Sequence, residues 1–168
     1  GKVKLEVIAD AGSDVIIAAE IHTDGKLTKQ FEIPDAKLWS VNTPNLYQLR
    51  VTFVAEQENG QNKCMETDQE EVIFGIRTLK WDKETGITIN GERVILRGAC
   101  IHHDNGVLGA CCYPDAEARK IRILKENGYN AIRSAHNPCS KALLEACDRQ
   151  GMLVMDEFVD VWYIHKTE

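Results

Sequence analysis

The chain has 168 residues, of which 43% are hydrophobic and 27% charged, a composition typical of globular proteins and unlike that of disordered or fibrous chains. Its 20 basic and 26 acidic residues are interspersed and give a net charge of -6, so we expect no nucleic-acid partner, which would require a basic face. No stretch reaches the roughly 18 apolar residues that span a bilayer, and the first residues lack the apolar core of a signal peptide, so we expect no membrane association.

The first half of the chain has the pattern of short β-strands. Residues 3–7, 15–21 and 47–53 alternate between apolar and polar side chains or are rich in β-branched ones. Polar stretches that contain glycine separate them, and no helical period intervenes. We therefore predict a small antiparallel β-sandwich, with the aromatic side chains of Trp39 and Tyr47 in its core.

From Trp81 onward the pattern changes to a hairpin followed by alternating strands and helices. Asn90-Gly91 is the dipeptide typical of a two-residue hairpin turn, and apolar strand residues flank it on both sides. Further strands are predicted up to Ile101, over residues 130–135 and over residues 152–155. Helical segments separate these three strands, which predicts a β-α-β-α-β unit with parallel strands.

Both predicted helices have capping and stop residues. Asp115 is expected to cap the first helix and Gly128 to end it, while Ser140 caps the second and Gly151 ends it. The residues expected on the buried faces are Ala118, Ile121 and Leu124 in the first helix and Leu143, Leu144 and Cys147 in the second.

Polar side chains follow each of the three predicted parallel strands. They are His102, His103 and Asp104 after the first strand, Arg133, His136 and Asn137 at the end of the second, and Asp156 and Glu157 at the end of the third. The carboxyl ends of parallel strands line the ligand site in α/β sheets and (β/α) barrels. We therefore expect these side chains to converge on one face.

Several motifs of the chain occur together in a known family. They are Leu38-Trp39-Ser40, Pro44-Asn45-Leu46-Tyr47, Phe74-Gly75-Ile76-Arg77, Asn90-Gly91, Arg97-Gly98 leading to His102, the segment 130–138, Cys147-Asp148-Arg149, Gly151 and Asp156-Glu157. In identity, order and spacing they closely resemble glycoside hydrolase family 2, which contains β-galactosidases, β-glucuronidases and β-mannosidases. The His102-His103-Asp104 variant is most similar to the β-galactosidase branch.

The resemblance implies an immunoglobulin-like sandwich over residues 1–79 and the start of a (β/α)8 barrel over residues 80–168. A complete barrel needs about 250 residues, so the second region would supply only its first three strands and two helices. The chain also opens within a strand and without an initiator Met. We therefore expect a fragment of a longer protein, and the signal of a periplasmic or secreted parent would lie outside it.

The resemblance also implies a reaction, the retaining hydrolysis of terminal β-linked sugars, first of all β-galactosides. In the family the general acid/base is a Glu at the end of the fourth barrel strand and the nucleophile a Glu at the end of the seventh. Both would lie beyond Glu168, and Glu157 matches the third-strand Asp-Glu pair instead. The chain then contains neither catalytic carboxylate, and we expect it to be inactive alone.

The resemblance assigns roles to four residues at the strand ends. Arg133 would donate to the nucleophile, since a fixed guanidinium favours the ionised carboxylate. His102 and His136, and with less support Asp104, would bind sugar hydroxyls in the glycone subsite. The alternative for Arg133 is a structural ion pair in the barrel interior.

No metal or cofactor is expected. The chain does contain zinc-type ligands, namely His102, His103, Cys111, Cys112, His136 and Cys139, but their spacing fits no standard zinc pattern. Some family members bind a divalent cation through an acid and a His after the third strand, at positions held here by Val161 and Tyr163. The six cysteines include no C-x-x-C pair, and they are expected to be reduced and structural.

Two further expectations concern partners. A truncated barrel leaves unpaired strand edges and an uncovered inner face, so we expect the second half to self-associate. The alternative to an enzyme is a non-catalytic sandwich module for binding or interaction, in which the barrel strands are passengers. The gene sequence after Glu168 separates the two, because the enzyme requires an Asn-Glu pair within a few dozen residues.

Overall fold

The structure is a computed structural model that describes residues 1–9, 12, 14–23, 25–55 and 65–158. The chain forms two compact units. The first comprises Gly1–Leu38 and Asn45–Ile76, and the second comprises Trp39–Pro44 and Arg77–Glu168. The predicted domain boundary between residues 79 and 80 stays a prediction. Neither helix within the described ranges has the length and apolar character needed to cross a bilayer.

The first unit contains one antiparallel sheet in its described residues. The strands are β1 (Lys2–Ala9), β2 (Val15–His22), β3 (Tyr47–Ala55) and β4 (Met65–Phe74), in the order β2-β1-β3-β4. Leu5 and Val7 of the central strand β1 are buried, as expected for one covered face of an alternating strand. The predicted sandwich requires a second sheet packed on this one, and the described residues of the first unit form one sheet of it.

Tyr47 is buried in the first unit, as the sequence predicts. Its ring stacks on Phe74 of the neighbouring strand with centroids 5.7 Å apart. Its hydroxyl accepts a hydrogen bond from the backbone N–H of Lys37 at 2.7 Å. The aromatic side chain thus contributes apolar burial and also ties the long connection before β3 to the sheet.

The second unit contains the predicted hairpin within a three-stranded antiparallel sheet. Its strands are β5 (Leu79–Asp82), β6 (Gly86–Ile89) and β7 (Glu92–Arg93), paired antiparallel in that order. Asn90 and Gly91 both have positive φ, 54° and 84°. These values match the two-residue turn that Asn-Gly favours, because the twist of that turn fits the twist of the paired strands.

The rest of the second unit is a parallel sheet with two helices on one face. Its elements are β8 (Gly98–Ile101), a short 3-10 helix (Gly106–Leu108), α1 (Pro114–Glu126), β9 (Ala131–Ser134), α2 (Lys141–Gln150) and β10 (Leu153–Asp156). Central strand β9 pairs in parallel with β8 and β10. The buried core between sheet and helices consists of Ile121, Ile132, Leu143, Ala146, Cys147 and Met152.

Two details of the helices differ from the prediction. Helix α1 begins at Pro114 with Tyr113 as its N-cap, and Asp115 lies within its first turn, where a carboxylate still favours the helix dipole. In α2, Leu144 is exposed and Ala146 is buried with Leu143 and Cys147. Ala146 and Cys147 lie three and four residues after Leu143 and so share its helix face, whereas Leu144 lies about 100° around the helix from Leu143. The predicted cap of α2 is confirmed, since Ser140 Oγ accepts from Leu143 N at 3.1 Å.

The predicted position of Trp39 is wrong. Trp39 is buried, but in the second unit. Its indole N–H donates to the backbone carbonyl of Asp148 at 2.7 Å, and its own carbonyl accepts from the Asn90 side chain at 3.0 Å. The guanidinium of Arg77 lies 4.6 Å from the ring centroid. These contacts bind Trp39 to α2, to the hairpin turn and to Arg77.

Candidate functional site

The carboxyl end of the parallel sheet brings three of the four predicted site residues together. Cys100 and Met155 pair with Arg133 across the three strands, so the strands end at the same level. The rings of His102 and His136, which follow β8 and β9, lie 5.7 Å apart between centroids. The predicted convergence of these side chains is therefore seen in the structure, while their roles stay predictions.

Arg133 is held between the two edge strands. Its Nε donates to Glu157 Oε1 at 2.7 Å, and its Nη2 lies 2.5 Å from the same oxygen. Its Nη1 donates to Cys100 Sγ at 3.3 Å. The hydrogen bonds to Cys100 and Glu157, together with the charge of Glu157, raise the pKa of Arg133 above its ordinary value. The guanidinium thus remains charged and well oriented.

His136 lies beside the same carboxylate. Its Nδ1 is 3.8 Å from Glu157 Oε2, a distance of electrostatic attraction to a protonated imidazole and too long for a hydrogen bond. The preceding residues hold this part of the loop, because Ser134 Oγ donates to the carbonyl of Asn137 at 2.8 Å. His136 is half-buried and His102 exposed, so both rings are accessible to a ligand.

The structure places the carboxylate of Asp104 in a turn of the loop after β8. Its Oδ1 accepts from the backbone N–H of Gly106 at 2.9 Å, and its backbone N–H donates to the carbonyl of His102 at 2.8 Å. This is an Asx-type turn, in which the side chain mimics a backbone acceptor. Asp104 therefore shapes the loop that carries His102, instead of joining the cluster of Arg133, His136 and Glu157.

Glu117 on α1 is a buried carboxylate that was not among the predicted site residues. Its side chain is 1% exposed. Oε1 accepts from the Asn105 amide at 2.8 Å, and Lys120 Nζ lies 3.0 Å from Oε2, as a charge contact without hydrogen-bond geometry. Burial by itself raises the pKa of Glu117, but the contacts with Asn105 and Lys120 outweigh it and lower the pKa. The sequence does contain a signal for this burial, because Glu117 lies one turn before Ile121 on the apolar face of α1.

The side chain of Asp156 lies on the side of the parallel sheet that the helices cover. Its Oδ1 accepts from the backbone N–H of Cys139 at 2.9 Å, which holds the connection between β9 and α2. Burial raises the pKa of the Cys139 thiol to about 11, so the thiol stays protonated near neutral pH. Over the described ranges, His, Cys, Asp and Glu form no group of three suited to a metal ion. The predicted non-ligand positions Val161 and Tyr163 lie outside the described residues.

The face of the parallel sheet opposite the helices is an open apolar concavity of about 560 Å³. Exposed side chains that line it include Leu79, Leu96 and Met155, which are 60%, 44% and 60% exposed. Arg133 and Cys100 border the same space. This surface is the inner face of the sheet, and Arg133 projects from it toward the carboxyl end.

Comparison with known proteins places both units in one family. The family model described as "Glycosyl hydrolases family 2" matches residues 1–77, and the one described as "Glycosyl hydrolases family 2, TIM barrel domain" matches residues 82–163. A β-galactosidase of Bacteroides ovatus, BoGH2A, is 41% identical over 159 residues, which are 95% of this chain and 17% of that enzyme. The chain thus spans about a sixth of the length of this relative.

Solved structures agree with this assignment. A family 2 member from Bacteroides cellulosilyticus matches 100% of the chain and 22% of its own length, with 38% identity and a TM-score of 0.78. A β-glucuronidase from Bacteroides uniformis matches 99% of the chain and 20% of its own, with 25% identity and a TM-score of 0.80. A sandwich domain followed by the start of a TIM barrel fits these structures. The chain belongs to glycoside hydrolase family 2.

Proposed function

We propose that this chain is part of a retaining exo-β-glycosidase that removes terminal β-linked sugars, and that the enzyme is a β-galactosidase. The observation that carries the proposal is the cluster of Arg133, His102 and His136 at the carboxyl end of the sheet. The similarity to a protein named as a β-galactosidase, at 41% identity, supports galactoside as the substrate. Membership of the family supports the reaction class.

The cluster suits part of this chemistry. A retaining glycosidase places two carboxyl groups about 5 to 5.5 Å apart around the anomeric carbon, and the nucleophile must be ionised. Arg133, charged and held by Glu157, supplies a fixed cation at the strand end that favours such a carboxylate. The accessible imidazoles of His102 and His136 can hydrogen-bond sugar hydroxyls. The turn formed by Asp104 holds the loop that carries His102.

The proposal predicts an all-or-none contrast in activity. The full-length protein that contains this chain should hydrolyse a chromogenic β-galactoside faster than the matching β-glucuronide or β-mannoside. The 168-residue chain alone should show no turnover, because the two catalytic glutamates act as a unit and lie beyond it. Steady-state hydrolysis assays of both proteins on the three substrates test this.

The outcomes of these assays separate the hypotheses. Preference for the β-glucuronide would keep the reaction class and overturn the galactosidase assignment. Turnover by the 168-residue chain, after removal of copurifying enzyme, would show that its own carboxylates suffice. A full-length protein without hydrolytic activity would favour the non-catalytic binding module.

Self-association of the isolated chain is also expected. Strands β8 and β10 form the edges of the parallel sheet, and the concave face carries exposed Leu79 and Met155. Backbone groups at sheet edges and uncovered apolar faces favour pairing with another copy. Light scattering of the 168-residue chain should therefore give a mass that rises above 18.9 kDa with concentration. A constant monomer mass at high concentration would contradict the expectation.

A further inference from the structure

Among the residues that the structure describes, Glu157 is the one acid at the strand ends that contacts two predicted site residues. It follows Asp156, whose carboxylate lies behind the sheet at the N–H of Cys139. Side chains of consecutive residues in an extended chain point to opposite sides. Glu157 accordingly reaches the opposite side of the sheet, where it meets Arg133 and His136.

The two oxygens of Glu157 have different partners. Oε1 accepts a hydrogen bond from Arg133 Nε and also lies next to Arg133 Nη2. Oε2 lies 3.8 Å from Nδ1 of His136. The far side of the guanidinium is fixed by Nη1 on Cys100 Sγ. Because Arg133 is held from both neighbouring strands, the plane of its guanidinium has one favoured orientation. The side chain of Glu157 is only 23% exposed, so water weakens the pairing less than at an open surface.

We infer that Glu157 is a positioning residue of the glycosidase, which orients Arg133 toward the nucleophile and keeps His136 directed at the sugar. The inference rests on the proposed function. A carboxylate that contacts both groups couples their orientations, and small misplacements of such groups cost large factors in rate. In this role Glu157 acts through Arg133 and His136, and not on the reacting atoms.

The test uses E157Q, E157D and E126Q in the full-length enzyme. Gln keeps the size of Glu157 but removes its charge, and Asp keeps the charge on a shorter side chain. Glu126 is the matched control, because it also pairs with an arginine, Arg122, at 3.1 Å, but on the exposed side of α1. Active sites are counted from the burst of product, so that misfolded protein does not enter kcat.

We expect kcat per active site to fall by about tenfold or more in E157Q, by less in E157D, and to stay unchanged in E126Q. KM should change less than kcat, because Arg133 acts mainly on the nucleophile. In the 168-residue chain, the Nε–H signal of Arg133 in NMR spectra should move on E157Q substitution and remain in place in E126Q. A merely structural role would lower the number of active sites without lowering kcat per site.

Three results would count against the inference. If the unsubstituted enzyme hydrolyses β-galactosides and E157Q retains its kcat, Glu157 does not position the site, and the proposed function stands. If the unsubstituted enzyme hydrolyses no glycoside, the proposed function fails first. An unmoved Arg133 signal in E157Q would show that the ion pair does not set the orientation of the guanidinium.

Discussion

Substitution of Gly151 by alanine is expected to destabilise the second unit by about 3 kcal/mol. Gly151 ends α2 with φ of 72°, a left-handed conformation that costs a residue with a side chain roughly 1 to 2 kcal/mol. A Cβ at this position would overlap the carbonyl group of Val41, with its carbon only 2.9 Å away. Such overpacking adds about 1 to 3 kcal/mol, because one of the two backbones must move.

The neighbouring lysine makes the Val41 carbonyl hard to displace. Lys125 Nζ donates to the carbonyls of both Val41 and Gly151, at 2.9 and 3.1 Å. Burial lowers the pKa of Lys125, because its ammonium has lost part of its hydration. The two carbonyl oxygens replace hydrogen bonds to the lost water. Moving Val41 therefore takes a hydrogen-bond acceptor from a partly buried ammonium and also disturbs a backbone contact.

Gly128 provides the control for the steric part of this effect. It has φ of 84°, and a Cβ built there meets no atom within 4 Å. Gly128→Ala should therefore cost only the conformational part, about 1 to 2 kcal/mol. Urea unfolding of the two variants at one protein concentration measures the difference. Equal losses would show that Val41 yields freely and that the close approach at Gly151 is unimportant.

Replacing Glu117 by glutamine is expected to cost about 2 kcal/mol at pH 7. The substitution keeps the shape of the side chain, but removes the charge that binds the Asn105 amide and attracts Lys120. Hydrogen bonds to buried charged groups are worth about 1.5 to 3 kcal/mol. The loop between β8 and α1 should also exchange its amide hydrogens faster, because the same Asn105 amide holds the carbonyl of Cys111 at 3.0 Å.

The cost of the Glu117 substitution should depend on pH. The pKa of Glu117 is lower in the folded chain than its ordinary value of 4.5. The stabilisation is therefore fully present above pH 4.5 and is lost as the pH falls through the folded-state pKa. Wild type and E117Q should accordingly converge in unfolding free energy below pH 4.5.

An exposed acid on the same helix is the control for Glu117. Glu126 pairs with Arg122 at the surface, where both side chains are more than half exposed, so E126Q should cost under about 0.5 kcal/mol. Urea unfolding of E117Q, E126Q and wild type, from pH 7 down through pH 4.5 to the most acidic pH at which the wild type still folds, makes the comparison. A loss for E117Q as small as for E126Q, or one that does not vary with pH, would contradict the expectation.

Much of the local structure follows from sequence rules that act over a few residues. The positive φ values of Asn90 and Gly91, the Ser140 cap and the Gly151 stop are set by steric and hydrogen-bonding preferences of these residues themselves. The burial of Ile121 follows from helical periodicity. The identity, order and spacing of the motifs were sufficient to indicate the family, because all three are read directly from the sequence.

The contacts that define the candidate site depend on residues far apart in the chain. Periodicity places Arg133 at a strand end, but its pairing with Glu157, 24 residues later, depends on the register of β9 and β10. Trp39 had the pattern of a sandwich residue, yet its indole N–H finds an acceptor 109 residues away at Asp148.

Glu117 shows the same division between pattern and packing. An acid on an apolar helix face is costly unless a partner meets it, and Asn105 comes from a loop whose path no local rule predicts. The sequence by itself therefore determined the parallel strands and helices of the second unit, the cap of α2 and the family. Which polar groups meet was decided by the tertiary structure, because a buried charge is stable only where packing brings its partner within hydrogen-bond distance.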